Sequence, residues 1–323
     1  MANVTYRNCY SVTPNTGVAK CNIDPGLLQG FIMVPKGTRY TAAQLPNIVA
    51  LLATAAQTNP PQTRVYPIGP FINVTDNSTD TVTESTDYGY TEIVRDGIYA
   101  WMGRTGYGGD CLYRSLRKFQ GKQDMFDFIG VFKNQLLMTY APNLTTGAPE
   151  YKGISPSLIR VPNFKIAVGN TATQFWIEIQ VFDAGQISDN FAFIQTDVSP
   201  LSNISGITNV DIQNNATFNT SPAGSVDILP VVECDGSSLV TTYGNTWNNA
   251  LLWTATNDAT GAGITITGVS TVNGKYRLQL DTTDPDYPAV NGKIRISGGT
   301  VSALNAAGII GYETNTAVVT RTV

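Results

Sequence analysis

The chain contains no histidine. That absence removes the usual general base near neutral pH and the commonest metal ligand. Ser-His-Asp and Cys-His nucleophilic sites and His-based zinc sites are therefore excluded. Charge is scarce too: 14% of the 323 residues are Asp, Glu, Lys or Arg, against ~25% in an average soluble domain. Cysteine is rare. Cys9, Cys21, Cys111 and Cys234 include no C-x-x-C pair and are too few to scaffold a chain of this length. Four unpaired thiols are the simpler expectation, and Cys9–Cys21 is the only bridge that local sequence suggests. No apolar run approaches the ~20 residues of a membrane-spanning helix. The opening residues, MANVTYRNCYSV, have neither the basic nor the apolar part of a secretory signal. Synthesis in a cytoplasm without ordinary export is the expectation.

Basic residues are missing altogether from Ile166 to Gly274. Up to Lys165, 15 Lys and Arg face 11 Asp and Glu, a net of +4; beyond it 5 face 13, a net of −8. Such asymmetry suggests two domains with different neighbours. Length agrees, since domains run ~100–200 residues. What is abundant is Thr, Asn, Ser and Gly, a palette suited to pleated surfaces and tight turns.

Periodicity points to a mainly β fold. GFIMVPKG (30–37), 64–74, 91–102, MFDFIGVF (125–132) and NQLLMTYAP read as strands. So do 157–168 and 173–182, joined through Gly169 and Asn170 as a hairpin. Two helices are expected. Residues 41–57 offer a Thr41/Gln44 capping box and place Ile48, Leu51, Leu52 and Ala55 at helical spacing. Residues 109–122 offer Asp110 as N-cap and Gly121 as stop, with Leu112, Leu116 and Phe119 on one face. After a turn-rich stretch, short strands recur to the end. About seven in about a hundred residues is an immunoglobulin-like pattern. The expected organisation is a β-sandwich domain with one or two short helices over 1–222, then an immunoglobulin-like β-sandwich over 223–323.

Chemical motifs are sparse. GRTGYGGD (103–110) precedes a helix but has neither nucleotide-loop spacing nor a phosphate-binding lysine; a tight turn is the simpler reading. DTTDPDYP (281–288) clusters acids without the EF-hand spacing, and again reads as a turn. No catalytic, metal or cofactor residues are assigned, and the chain is read as a non-enzyme. Two polar groups stand out. The stretch TDNSTDTVTESTDYGY (75–90) lies between strand-like segments and has no core-forming face. It carries Asp76, Asp80, Glu84 and Asp87, with Thr81 and Thr83 in β-prone alternation. On the second helix, Arg114, Arg117 and Lys118 line a basic face.

Taken together, a mixed domain of strands and short helices, a long polar stretch between two strands and a terminal sandwich resemble the major tail (tail tube) proteins of long-tailed bacteriophages. The likeness spans roughly 30–200 and 226–323. In that family a small β-sandwich with a flanking helix forms hexameric rings by continuing its sheets into neighbours. The rings enclose a β-lined channel, a long loop reaches the adjacent ring, and some members carry an immunoglobulin-like domain outside. The two helices and the 323 residues depart from the family's smaller tube domain. The resemblance implies a virion protein, made in a host bacterial cytoplasm, that assembles with itself and other tail proteins. DNA would pass through the lumen without specific binding. Asp76, Asp80, Thr81, Thr83, Glu84, Asp87, Arg114, Arg117 and Lys118 would then make inter-subunit contacts. A capsid or decoration protein and a receptor- or carbohydrate-binding virion module are the alternatives, with a carboxylate hydrolase a third.

Overall fold

The structure is a computed structural model that describes residues 9–10, 20–21, 26–58, 60–85, 87–105, 109–167, 173–212, 216–220 and 223–322. The chain divides into two compact units, Met1–Ser205 and Gly206–Val323. Both are built mainly of antiparallel β-strands.

The strands of the first unit begin with β1 (Cys9–Tyr10), β2 (Lys20–Cys21), β3 (Gly30–Pro35), β4 (Arg39–Thr41) and β5 (Tyr66–Ile68). Next come β6 (Phe71–Asp76), β7 (Val82–Ser85), β8 (Thr91–Arg95), β9 (Tyr99–Thr105) and β10 (Phe126–Val131). The last are β11 (Gln135–Tyr140), β12 (Glu150–Lys152), β13 (Leu158–Arg160), β14 (Phe175–Val181) and β15 (Phe191–Gln195). The helices are α1 (Ile48–Thr58), α2 (Gly109–Arg117) and the single turns α3 (Gly185–Ser188) and α4 (Pro200–Asn203).

A seven-stranded sheet, β4-β12-β11-β10-β3-β5 with β15 beside β11, is the middle layer. Its central strands, GFIMVP and FDFIGV, are apolar almost throughout because both their faces are covered. Phe31, Met33 and Phe128 join Ile159, Ile177, Ile179 and Val181 of a second sheet, together with Leu116 and Phe119 around α2. Ile32, Val34, Ile129 and Val131 face the other way, onto Ile48, Leu52 and Ala56 of α1. The second sheet runs β13-β14-β9-β6. The result is a two-sheet sandwich with a helix on one flank.

Local signals explain most elements. Gln44 Oε1 accepts the Thr41 amide hydrogen at 2.9 Å, the reciprocal half of the capping box. A 3₁₀ turn over Leu45–Asn47 then leads into α1. The buried stripe is Leu45, Ile48, Leu52 and Ala56, and Leu51 sits at its margin, 38% exposed. α2 stops at Arg117 and turns through Gly121, whose φ of +69° favours glycine. Gly109, rather than Asp110, opens the described helix.

Two expected strands are broken. Residues 64–74 form β5 and β6 in different sheets, because Gly69–Pro70 turns the chain between them. A Cβ on Gly69 would meet Gln29 O and Leu201 Cδ1 at 3.0 Å. Residues 91–102 divide into β8 and β9 around Gly97. The expected hairpin pairs β13 with β14, and its turn residues Gly169 and Asn170 lie outside the described residues.

The second unit begins earlier than the expected residue 223, because strands ahead of that point pair with strands after it. These are β16 (Thr208–Asp211) and β17 (Ala216–Asn219), followed by β18 (Ser225–Ile228) and β19 (Val231–Val232). Then come β20 (Trp253–Asn257), β21 (Gly263–Ile264), β22 (Ile266–Val272), β23 (Lys275–Leu280), β24 (Lys293–Gly298), β25 (Tyr312–Thr314) and β26 (Ala317–Thr320). β16 pairs in parallel with β25, and β17 pairs with β18. Sheets β17-β18-β23-β22 and β21-β20-β24-β26 enclose one core, a β-sandwich. Trp247 stacks on Trp253 there at 5.1 Å, with Tyr276 against both. Asn273 and Gly274, both at positive φ, make the tight hairpin turn between β22 and β23.

Candidate assembly surface

The polar stretch 75–90 is a hairpin arm. β6 and β9 pair up to Asp76↔Trp101, and the two chains then leave the sheet together. The Asn77 amide donates to Ala100 O at 2.7 Å, and Thr79 and Ile98 exchange backbone hydrogen bonds of 2.9 and 3.2 Å. Asp76 Oδ1 accepts from the Ser78 amide at 2.9 Å and Ser78 Oγ from the Ala100 amide at 3.1 Å, which ties down the base. Gly97 is obligatory at this point. A Cβ there would sit 2.2 Å from Thr79 O.

Beyond the base, β7 and β8 form a two-stranded ribbon. Every described residue from Asp76 to Ile93 is exposed, including Asp76, Asp80, Thr81, Thr83, Glu84 and Asp87. Large apolar and aromatic groups are exposed with them, Tyr88 at 90%, Tyr90 at 73% and Ile93 at 68%. Glu84 stands directly opposite Glu92. Like charges in cross-strand register oppose pairing, so the ribbon works against its own electrostatics. Glu92 was missed from sequence because its importance comes from register alone.

Arg114 and Arg117 lie exposed on α2 and Lys118 in the turn just after it, while the other side of α2 packs through Leu112, Tyr113 and Leu116. The chain around α2 also closes a sheet edge. Ile159 O accepts the Gly121 amide at 3.0 Å, Val161 N donates to Gln120 Oε1 at 2.6 Å, and Arg117 Nη1 donates to Val161 O at 3.4 Å. Ile159 O, Val161 N and Val161 O at this edge are thus used within the subunit. At the other edge of this sheet, β6 pairs only with β9 among the described residues. In the first sheet, β15 pairs only with β11 among the described residues.

Between those two open edges the sandwich gapes. A cleft of about 710 Å³ is lined by Phe31, Trp101, Phe128, Phe132 and Phe193, with Asp76 and Ser188 among its polar groups. The Tyr99 hydroxyl and Ser188 Oγ share a 3.0 Å hydrogen bond at this site. No motif announces the cleft, since its walls come from well-separated segments.

The remaining motifs have structural explanations. Gly103 of GRTGYGGD belongs to β9, where a Cβ would lie 2.4 Å from the Phe71 ring. In the acidic loop, Asp281 Oδ1 accepts from Thr283, and Asp284 from the amides of Thr265 and Asp286. Those bonds hold the Asp284 carboxyl below its ordinary range, the Thr265 amide contributing most. The expectation of idle thiols is overturned. Cys111 and Cys234 are disulfide-bonded, and no free cysteine occurs among the described residues. Residue spacing carries no information about which sulfurs fold together. Cys9 and Cys21 are cross-strand neighbours in β1 and β2.

The fold and this surface define a mainly β protein of two units with an exposed arm. No protein-family model matches the chain, and no curated protein matches it. Among solved structures, the adhesin domain of Epf from Streptococcus pyogenes aligns over 91% of this chain and 93% of its own length, at 7% identity. The TM-score of 0.22 is too low to carry an argument about fold or function.

Proposed function

We propose that the chain is a virion structural protein that assembles into stacked rings, forming a phage tail tube through which DNA passes. The observation that carries this reading is the arm. It is held at its root by backbone hydrogen bonds, continues as a two-stranded ribbon with no core of its own, and exposes Tyr88, Tyr90 and Ile93 to solvent. Exposed strand edges are normally blunted or covered; here β6 and β15 each have a side with no strand partner among the described residues. β-Augmentation by a neighbour would satisfy them. A sandwich with α1 on one flank is in keeping with the tube-protein resemblance, α2 remaining a departure from it, and the second unit has its own core, as a decorating immunoglobulin-like domain would. Disulfides suit a particle that works outside the cell. The assembly is homo-oligomeric, with hexameric rings as the resemblance implies, and other tail proteins are its further partners. The second sheet's outer face carries Arg104 against Trp176, and Arg160 and Gln180 over a buried Glu178 to which both donate. Facing the channel, it would offer DNA mixed polarity and no base-reading groups.

A second reading, a carbohydrate-binding virion module, draws on the exposed rings of Tyr88 and Tyr90. Negative-stain electron microscopy with light-scattering mass separates the two. Rings or tubes with a central hole support the tube. A monodisperse monomer or trimer that binds glycans removes it.

A further inference from the structure

We propose that the acidic arm of one copy docks on the basic face formed by α2 and the turn that follows it in a second copy. This rests on the self-assembly reading and names the two surfaces that meet. Over residues 76–96 the arm carries Asp76, Asp80, Glu84, Asp87, Glu92 and Asp96 against Arg95, a net of −5. Residues 109–122 carry Arg114, Arg117, Lys118 and Lys122 against Asp110, a net of +3. All four of these basic side chains are exposed. The Glu84–Glu92 opposition gives the ribbon a specific need for cations, and a guanidinium or ammonium placed over that pair would relieve it. Tyr88 and Tyr90 add ring faces on which guanidinium groups stack.

The contact is between copies. The arm extends from the hairpin of edge strand β6 and its neighbour β9, whereas the α2 segment seals β13 at the opposite edge of the same sheet. Two strands, β14 and β9, lie between those edges, three spacings of about 4.8 Å, and the described arm is exposed rather than laid on its own subunit. Two different patches that complement each other make a head-to-tail contact, which closes into a ring or continues as a filament.

The test uses full-length protein and three variants. Asp80→Lys with Glu84→Lys reverses the arm; Lys118→Glu with Lys122→Glu reverses the basic face where it runs on past the end of α2; the third combines all four changes. Far-ultraviolet circular dichroism checks folding, and light scattering gives the concentration at half assembly. Each reversal alone should raise that concentration about tenfold or more. The combined variant should return toward wild type, and an equimolar mixture of the two reversals should co-assemble. Assembled wild type whose mass ignores both reversals overturns this contact alone, and so does failure of the combined variant to recover. A wild type that stays monomeric removes the self-assembly reading and this contact with it. If the basic-face reversal instead abolishes retention of a 30-base-pair duplex while assembly is unchanged, the basic face serves nucleic acid and the proposal falls.

Discussion

Replacing Gly97 by Ala should detach the arm without unfolding the body. The new Cβ would lie 2.2 Å from Thr79 O, a backbone atom that cannot rotate away. Restoring ordinary contact requires a shift of roughly 1 Å. The hydrogen bonds between Thr79 and Ile98, now 2.9 and 3.2 Å, would then stretch beyond useful length. Two such bonds contribute about 2 kcal/mol net, so the open population of the arm should rise about 30-fold. Because the described arm beyond its root is exposed, neither core loses a contact. Hydrogen exchange by mass spectrometry should show faster exchange at Thr79 and Ile98, with β3 and β10 unchanged and the melting temperature nearly constant. Unaltered protection at Thr79 and Ile98 would refute the reasoning, as would global destabilisation.

Leu52→Ala removes a fully buried side chain between α1 and the first sheet and should cost about 3–5 kcal/mol. In denaturant unfolding, the transition of the first unit should move and that of the second should not. Asp227 and Arg277 form a bidentate pair at 2.6 and 2.8 Å, and the Arg277 hydrogen bond chiefly lowers the Asp227 carboxyl below its ordinary 3.8. A depressed carboxylate stabilises above its unfolded value and loses that contribution as pH falls through the folded one. Asp227→Asn should therefore destabilise at pH 6 and flatten the loss of stability below about pH 4, measured by thermal melts across pH. Reducing the disulfides of Cys111 and Cys234 should lower stability by about 2–4 kcal/mol, seen by melting with and without a thiol reductant.

Elements governed by local chemistry were readable from residues alone. GFIMVP and MFDFIGVF announce fully covered strands by lacking alternation, and α2 shows its apolar face and its glycine stop. Of the arm, the residues alone showed a polar stretch with β-prone threonine alternation and no core-forming face. What depends on distant partners was hidden. β16 pairs with β25 about a hundred residues later, so the turn-rich stretch around it reads as a linker although it belongs to a sheet. The opposition of Glu84 and Glu92 follows from register across a bulge. The closure of β13 depends on Gln120 and Gly121, which sequence presents only as the end of a helix.

That closure governs how the protein behaves while it is being made in quantity. A sheet open on both sides can recruit copies from either direction and grow as an unbroken cross-strand ribbon, the route to fibres. Here the second sheet can accept a newcomer along β6 but offers no matching lip at β13. The second sheets of two copies joined β6 to β6 would therefore form a closed pair, and longer order must come through other surfaces, such as the side of β15 left unpaired among the described residues.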